Sequence, residues 1–239
     1  MSDVPRQEFV RSAIDESGNA GFQLLFLPAG ERASADLPYP SYIESRLRRA
    51  CDVIIVLCLL VALAPLVVVI IIAIKASSPG PVFFKQARHG RGMRPFKLLK
   101  FRSMHCAGDG SGPVIQATQA DPRVTFVGSL LRRTSLDELP QLINVLMGDM
   151  SLIGPRPHAV EHDLFYLDRV QNYSRRFQIR PGLTGLAQVS GARGLTPSLD
   201  HMRRRIELDL HYLNRASLRL DSGILLKTCK EFLTSRSAW

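Results

Sequence analysis

The longest hydrophobic segment of the chain runs from Val53 to Ile74 and contains 22 residues, none of them charged. A helix that crosses the hydrocarbon of a bilayer needs about 20 apolar residues. A buried strand or core helix is usually shorter than this run. The pattern therefore predicts a membrane-inserted helix, to which we assign residues 46–76.

Charge on both sides of this run bears on how it sits in the membrane. Three arginines precede the run, eight Lys and Arg residues follow it, and no acid lies between Asp52 and Asp109. Positively charged flanks stay in the cytoplasm, so both ends favour the same side. Pro65 lies just past the midpoint and is expected to kink the helix. This favours a re-entrant helix; a tilted spanning helix with a tolerated proline is the alternative.

The rest of the chain alternates short strand patterns with helical ones. Residues 82–86 and 96–101 are predicted to form a β-hairpin around the turn GRGMRP. Helical spacing follows in FVGSLLRRT, LPQLINVLMGD, EHDLFYLDRVQNYSRRF and residues 198–233. Residues 1–45 are polar and punctuated by proline, which predicts a variable, poorly ordered extension. The expected fold is therefore α-rich α+β, with residues 77–239 as one cytoplasmic domain.

Composition narrows the class of ligand. Lys and Arg number 31 against 21 acids, a formal net charge of +10. Such an excess suits phosphate-rich ligands, nucleic acid or an anionic membrane surface. Aromatic residues make up only 7% and do not alternate with the basic ones, so nucleic acid is not favoured. The four cysteines show no metal or disulfide spacing and are interpreted as reduced thiols: Cys51, Cys58, Cys106 and Cys229.

An acid pair, Asp137-Glu138, stands in the segment SLDELPQL. One explanation is structural, because Ser135 with Glu138 three residues later matches a capping box. The other is chemical, because a helix N-terminus also binds phosphate and paired carboxylates can hold a divalent cation or attack phosphorus. The residues alone leave both explanations open.

Basic residues in loops fixed by Pro and Gly are the natural partners of such a pair. The guanidinium of arginine bonds two phosphate oxygens at once. Each of these residues also has a simpler explanation as a solvated or lipid-facing charge. The candidates are Lys97, Lys100, Arg102, Arg132, Arg133, Arg156 in GPRP and Arg180 in RPGLTG. His158 and His162 share a helical face and are expected at the surface.

Read in order, four blocks resemble a known family. They are RRACD, SSPGPVFFKQARHGRGMRPFKLLKFRSM, DPRVTFVGSLLRRTSLDELPQLINVLMGDMSLIGPRP and RPGLTGLAQVSG, within residues 48–227. Together they are similar to the monotopic polyprenyl-phosphate phosphoglycosyl transferases, the bacterial sugar transferase family, in a short form without four preceding membrane helices. The chain departs from the family pattern at Cys51, at Ala64-Pro65 and at Ala216-Ser217.

The resemblance implies roles for particular residues. Asp137 would be the nucleophile, and Glu138 with Asp137 would hold Mg²⁺. Lys100, Arg102, Arg156 and Arg180 would bind substrate, and we add Arg133 to them as a basic residue close to the acid pair in sequence. The family also implies a monotopic protein whose membrane helix enters and leaves on the cytoplasmic face, with amphipathic helices at the interface.

The function expected from this resemblance is transfer of a hexose-1-phosphate from a UDP-sugar to undecaprenyl phosphate. UMP is released, a covalent aspartyl-phosphosugar is the intermediate, and the step initiates exopolysaccharide or another surface glycan. Expected partners are membrane lipids, downstream glycosyltransferases and a second copy of the chain, at the bacterial inner membrane. UDP-glucose and UDP-galactose are the favoured donors. The alternative is a non-enzymatic, single-span scaffold or regulator whose basic region binds anionic lipid.

Overall fold

The computed structural model describes residues 38–105, 121–194, 196 and 198–234. The helices in this part are α1 (Arg46–Ser77), α2 (Phe126–Arg133), α3 (Gln141–Met147), α4 (Val160–Leu167), α5 (Leu186–Val189), α6 (Leu199–Arg215) and α7 (Leu218–Thr234). The strands are β1 (Phe83–His89), β2 (Pro95–Phe101), β3 (Ser151–Ile153) and β4 (Gly182–Thr184). The predicted helix-rich α+β fold with a small hairpin is confirmed, and residues 1–37 of the predicted extension lie outside the described residues.

The membrane segment forms one long helix, α1, of 32 residues. The Ser45 hydroxyl caps its start by accepting a hydrogen bond from the Arg48 backbone N–H at 3.2 Å. Helical structure continues through Pro65, and at 1.5 Å per residue the helix is about 48 Å long. An 18-residue stretch of it has a mean hydropathy of 3.5, high enough for a membrane span, and most of its apolar side chains are exposed. A surface of this kind associates with a membrane, where lipid covers it.

Both ends of α1 are fastened to the same protein body by buried arginines. Near the start, Arg48 donates hydrogen bonds to Asp221, Tyr212 and the Ile153 carbonyl. Just beyond the end, Arg102 donates to the carbonyl and hydroxyl oxygens of Ser78 at 2.7 and 3.1 Å. The two contacts attach both ends of the helix to the same folded part of the chain.

Apolar contacts also attach both halves of α1 to the rest of the protein. Val56 in the first half of α1 belongs to the main core together with α3. Ile70 and Ile74 in the second half form a separate cluster with Phe101 and α2. Leu139, which directly follows the acid pair, packs against both clusters. The segment carrying the acid pair therefore lies beside both clusters in which the membrane helix packs.

The hairpin positions one side of the site. Strands β1 and β2 pair antiparallel, with Phe84 opposite Lys100. The Asn144 side chain of α3 accepts from the Leu99 N–H at 2.9 Å and donates to the Lys97 carbonyl at 2.9 Å. The Asn144 amide thus supplies hydrogen-bond partners for backbone groups on the unpaired edge of β2 and fixes the strand to α3. Lys100 follows Leu99 on β2, and its side chain points towards the acid pair.

Candidate active site

The acid pair lies in a 3₁₀ turn, Leu136–Glu138, between α2 and α3. Ser135 precedes it in the left-handed region at φ 56°, and its side chain makes no capping hydrogen bond. The Glu138 carboxylate is directed to Lys100 and Arg156 instead of back to the Ser135 N–H. The capping-box explanation is therefore wrong.

Glu138 is held by two cations from distant parts of the chain. Lys100 of β2 donates to Oε1 at 2.8 Å. Arg156 donates through Nη1 to Oε2 at 3.0 Å and through Nη2 to Oε1, so its guanidinium engages both oxygens. Burial alone would raise the pKa of Glu138, but the charges of Arg156 and Lys100 outweigh it and hold that pKa well below its usual range. Glu138 is therefore ionised at neutral pH.

Asp137 stands beside this ion pair in a different electrostatic state. Only 7% of the residue is exposed, and the Lys100 Nζ is 3.6 Å from its Oδ2. Burial raises the pKa of Asp137, and the neighbouring Glu138 charge acts in the same direction; the cations of Lys100, Arg132 and Arg156 offset this only in part. Adjacent carboxylates with opposite pKa shifts are typical of sites where the two have different roles.

Arg156 lies in a loop between Pro155 and Pro157, and contacts to the backbone carbonyls of this loop hold it in place. The Arg176 side chain donates to the Arg156 carbonyl oxygen. Arg88 at the end of β1 lies against the same loop, 3.4 Å from the Pro157 carbonyl. Burial, followed by the Arg156 charge, lowers the pKa of Arg88 to about 10. Sequence reasoning missed Arg88, since only the pairing of β1 with Ala159 places it beside the loop.

A buried polar network supports Arg176. The Tyr173 hydroxyl donates to Asp163 at 2.8 Å and lies 2.7 Å from the His158 Nδ1. Arg176 donates to the Tyr173 hydroxyl at 3.0 Å and lies 3.3 Å from Asp209. The prediction that His158 lies at the surface is wrong, because only 6% of it is exposed. Burial, reinforced by the Arg176 charge, lowers the His158 pKa well below its ordinary value.

The structure brings four of the predicted site residues together and places three elsewhere. Asp137, Glu138, Lys100 and Arg156 form one contact group. Arg102 binds the C-terminal end of α1, Arg133 is exposed on α2, and the Nε of Arg180 donates to the Gly148 carbonyl at 3.0 Å. Arg102 is 5% exposed and two of its nitrogens have no partner in the described part of the chain. Its role in binding substrate stays a prediction, as do those of Arg133 and Arg180.

Asp137 and Glu138 suit a divalent cation that takes the rest of its ligands from substrate phosphates and water. Within the described ranges, no three His, Cys, Asp or Glu residues gather into a metal site. Mg²⁺ is often held by one or two carboxylates together with substrate phosphates and water. Asp137 and Glu138 provide such a pair, and the raised Asp137 pKa indicates a carboxylate whose charge the neighbouring cations do not fully compensate.

The raised pKa predicts that Asp137→Asn stabilises the fold at neutral pH. Folding makes ionised Asp137 less favourable, so the penalty is present above the raised pKa and disappears as pH falls towards the ordinary value for Asp. Thermal unfolding in detergent should therefore show a higher Tm for Asp137→Asn at pH 8 and a vanishing difference near pH 4. Each 1 kcal/mol gained corresponds to roughly 2–4 °C for a chain of this size. An equal or lower Tm at pH 8 would contradict the assignment.

Comparison with known proteins identifies the family of the chain. The bacterial sugar transferase family model matches residues 43–235. A UDP-glucose:undecaprenyl-phosphate glucose-1-phosphate transferase of Caulobacter vibrioides is 49% identical over 202 residues, 84% of this chain and 75% of the relative. An Escherichia coli protein of the same name is 45% identical over 199 residues, 83% of this chain but 43% of the relative.

A shorter relative matches almost end to end. An exopolysaccharide production protein of Rhizobium leguminosarum is 44% identical over 191 residues, 79% of this chain and 96% of the relative. The family match covers the membrane helix, the hairpin, the acid pair and both arginine loops. The chain therefore belongs to the bacterial sugar transferase family and is an enzyme of that transferase class.

Proposed function

We propose that this enzyme transfers a hexose-1-phosphate from a UDP-sugar to undecaprenyl phosphate and releases UMP, as the initiating step of exopolysaccharide or another surface glycan. The observation that carries the proposal is the acid pair with opposite pKa shifts, set among cations beside the two apolar clusters in which the exposed apolar helix α1 packs. The names of the Caulobacter and Escherichia relatives support UDP-glucose as the donor and undecaprenyl phosphate as the acceptor.

In this scheme Asp137 is the nucleophile. Its carboxylate attacks the sugar-bearing phosphorus of the donor, the phosphoanhydride bond breaks, and UMP leaves with the bridging oxygen. A phosphate oxygen of the lipid then attacks the same phosphorus and displaces the Asp137 carboxylate. The raised pKa supports this role, because a more basic carboxylate is the better nucleophile once it is ionised.

The surrounding groups counter the charge of the substrates. Lys100 and Arg156 bring positive charge to the carboxylate pair while they hold Glu138 in place. Arg88 adds a further buried cation beside Arg156. When bound at Asp137 and Glu138, Mg²⁺ would neutralise phosphate oxygens and so make attack by an anion possible. Two-step transfer also lets UMP leave before the lipid phosphate reacts, which gives ping-pong kinetics.

We further propose that α1 is re-entrant and the protein monotopic. Arg48 and Arg102 attach both ends of the helix to one body, and Pro65 lies between them. Exposed apolar residues on α2 and α3 extend the lipid-facing surface, including Phe126, Leu130, Ile143 and Met147. Helices with such faces lie in the membrane interface. This arrangement would hold Asp137 at the level of the lipid phosphate, on the cytoplasmic side of the inner membrane.

The reaction is tested with purified protein, Mg²⁺, undecaprenyl phosphate and a panel of UDP-sugars, scoring UMP release. UDP-glucose should support turnover, and Asp137→Asn should reduce it by roughly 10³-fold or more, as loss of a nucleophile does. Asp200→Asn is the matched control, because Asp200 is an exposed acid on α6. UMP release by Asp137→Asn at the wild-type rate would exclude the proposed nucleophile.

Arg156→Lys tests the two-bond contact with Glu138. A lysine reaches only one carboxylate oxygen, so kcat/KM for the UDP-sugar should fall roughly 10- to 100-fold. Arg204→Lys, an exposed position on α6, should leave kcat/KM unchanged. Arg180→Lys should also impair turnover if Arg180 binds the diphosphate. Normal kinetics for Arg156→Lys would show that the contact between Arg156 and Glu138 is structural and does not contribute to turnover.

Topology is tested with single cysteines in a background without the four native ones. Ser41→Cys and Lys85→Cys place thiols at exposed positions before and after α1. A membrane-impermeant maleimide should label both in inverted vesicles and neither in intact cells. Labelling at position 41 from outside intact cells would show that the helix spans the membrane.

A further inference from the structure

A second arginine-bearing loop approaches the acid pair, and neither motif reasoning nor the proposed mechanism uses it. Arg193 donates from Nη2 to the Ser135 hydroxyl at 2.8 Å. Ser135 is two residues before Asp137, so their Cα atoms are at most about 7.6 Å apart. The guanidinium of Arg193 therefore stands at the edge of the segment that carries the nucleophile.

The base of this loop is rigidly held. The buried Arg205 of α6 donates to the Ala192 carbonyl and to the Gly194 carbonyl, both at 2.9 Å. Gly191 and Gly194 take positive φ values of 81° and 87°, which glycine adopts without strain. Fixing the carbonyls on either side of Arg193 leaves only its side chain to be ordered when a ligand binds.

The same anchor is connected to the Arg156 loop. The Nη1 of Arg205 lies 3.4 Å from the His158 Nε2, and His158 contacts Arg176, which holds the Arg156 carbonyl. One buried network thus supports the loop that brings Arg156 to Glu138 and the loop that brings Arg193 to Ser135. Such support from a packed second layer is what keeps binding groups in position.

Arg193 also differs from Arg156 in the kind of group that its positive charge contacts. Arg156 is engaged by the Glu138 carboxylate, whereas the partner of Arg193 is a neutral hydroxyl. Within the described residues no carboxylate pairs with Arg193, and its side chain is exposed. An arginine with this geometry fits a phosphoryl group, whose oxygens it can bind in pairs.

We propose that Arg193 binds a phosphoryl group of a substrate at Asp137, either the donor diphosphate or the phosphate of the lipid acceptor. The inference rests on the proposed function for the identity of the substrates. Because Arg193 touches the ligand directly, its removal should weaken binding or turnover without affecting the fold.

The test compares Arg193→Gln and Arg193→Lys with the control Arg203→Gln, an exposed arginine on α6 paired with Asp200. Arg193→Gln should lower kcat/KM for one substrate roughly 10- to 100-fold, the loss expected for one charge-assisted contact. Arg193→Lys should restore part of it, and the Tm of both variants should match wild type. A raised KM for the UDP-sugar assigns the donor, and a raised KM for undecaprenyl phosphate assigns the acceptor.

Unchanged kinetics for both substrates, or a loss that accompanies a lower Tm, would overturn the proposal. Binding of inorganic pyrophosphate, measured by isothermal titration calorimetry, separates this result from failure of the proposed reaction. If wild type releases no UMP but binds pyrophosphate at least 10-fold more tightly than Arg193→Gln, as one lost charge-assisted contact implies, the reaction is wrong and the phosphate site stands. Equal pyrophosphate binding in an inactive wild type would reject both.

Discussion

The site depends on one half-buried ion-pair group, between Glu138 and the cations of Lys100 and Arg156. It joins three segments that are far apart in sequence: β2, the 3₁₀ turn and the loop after β3. Removing either cation would leave the Glu138 charge poorly compensated and so destabilise this part of the fold. The contact thereby fixes Asp137 next to an ionised carboxylate, and burial can raise the pKa of one carboxylate while cations lower that of the other.

The membrane helix serves the same site. Its first half packs into the main core and its second half into a separate cluster, and Leu139 beside the acid pair touches both. Buried arginines satisfy polar groups at the two ends, where the chain passes between lipid and protein. In the proposed mechanism this packing would hold the acid pair where a lipid phosphate and a soluble nucleotide can meet. Without this helix, Leu139 beside the acid pair would lose apolar packing in both clusters.

Features set by local pattern could be predicted from sequence, and those set by distant partners could not. The apolar run, the hairpin and the acid pair follow from residues close in sequence. The helix predicted over residues 161–177 ends at Leu167 instead, and Asn172 then takes a left-handed conformation before a 3₁₀ turn. Tertiary contacts explain this break: Tyr173 and Arg176 are drawn into the polar network with Asp163 and Asp209. His158 is buried for the same reason, and Arg88 and Arg193 reach the site only through the fold.

The most direct measurement is mass spectrometry of the enzyme after incubation with UDP-glucose and Mg²⁺ in the absence of lipid acceptor. A nucleophilic Asp137 predicts a hexose-phosphate adduct on the peptide that contains it, formed together with UMP and removed on addition of undecaprenyl phosphate. An adduct on another residue, or UMP release with both substrates but no adduct on any peptide, would contradict the assignment of Asp137 as the nucleophile.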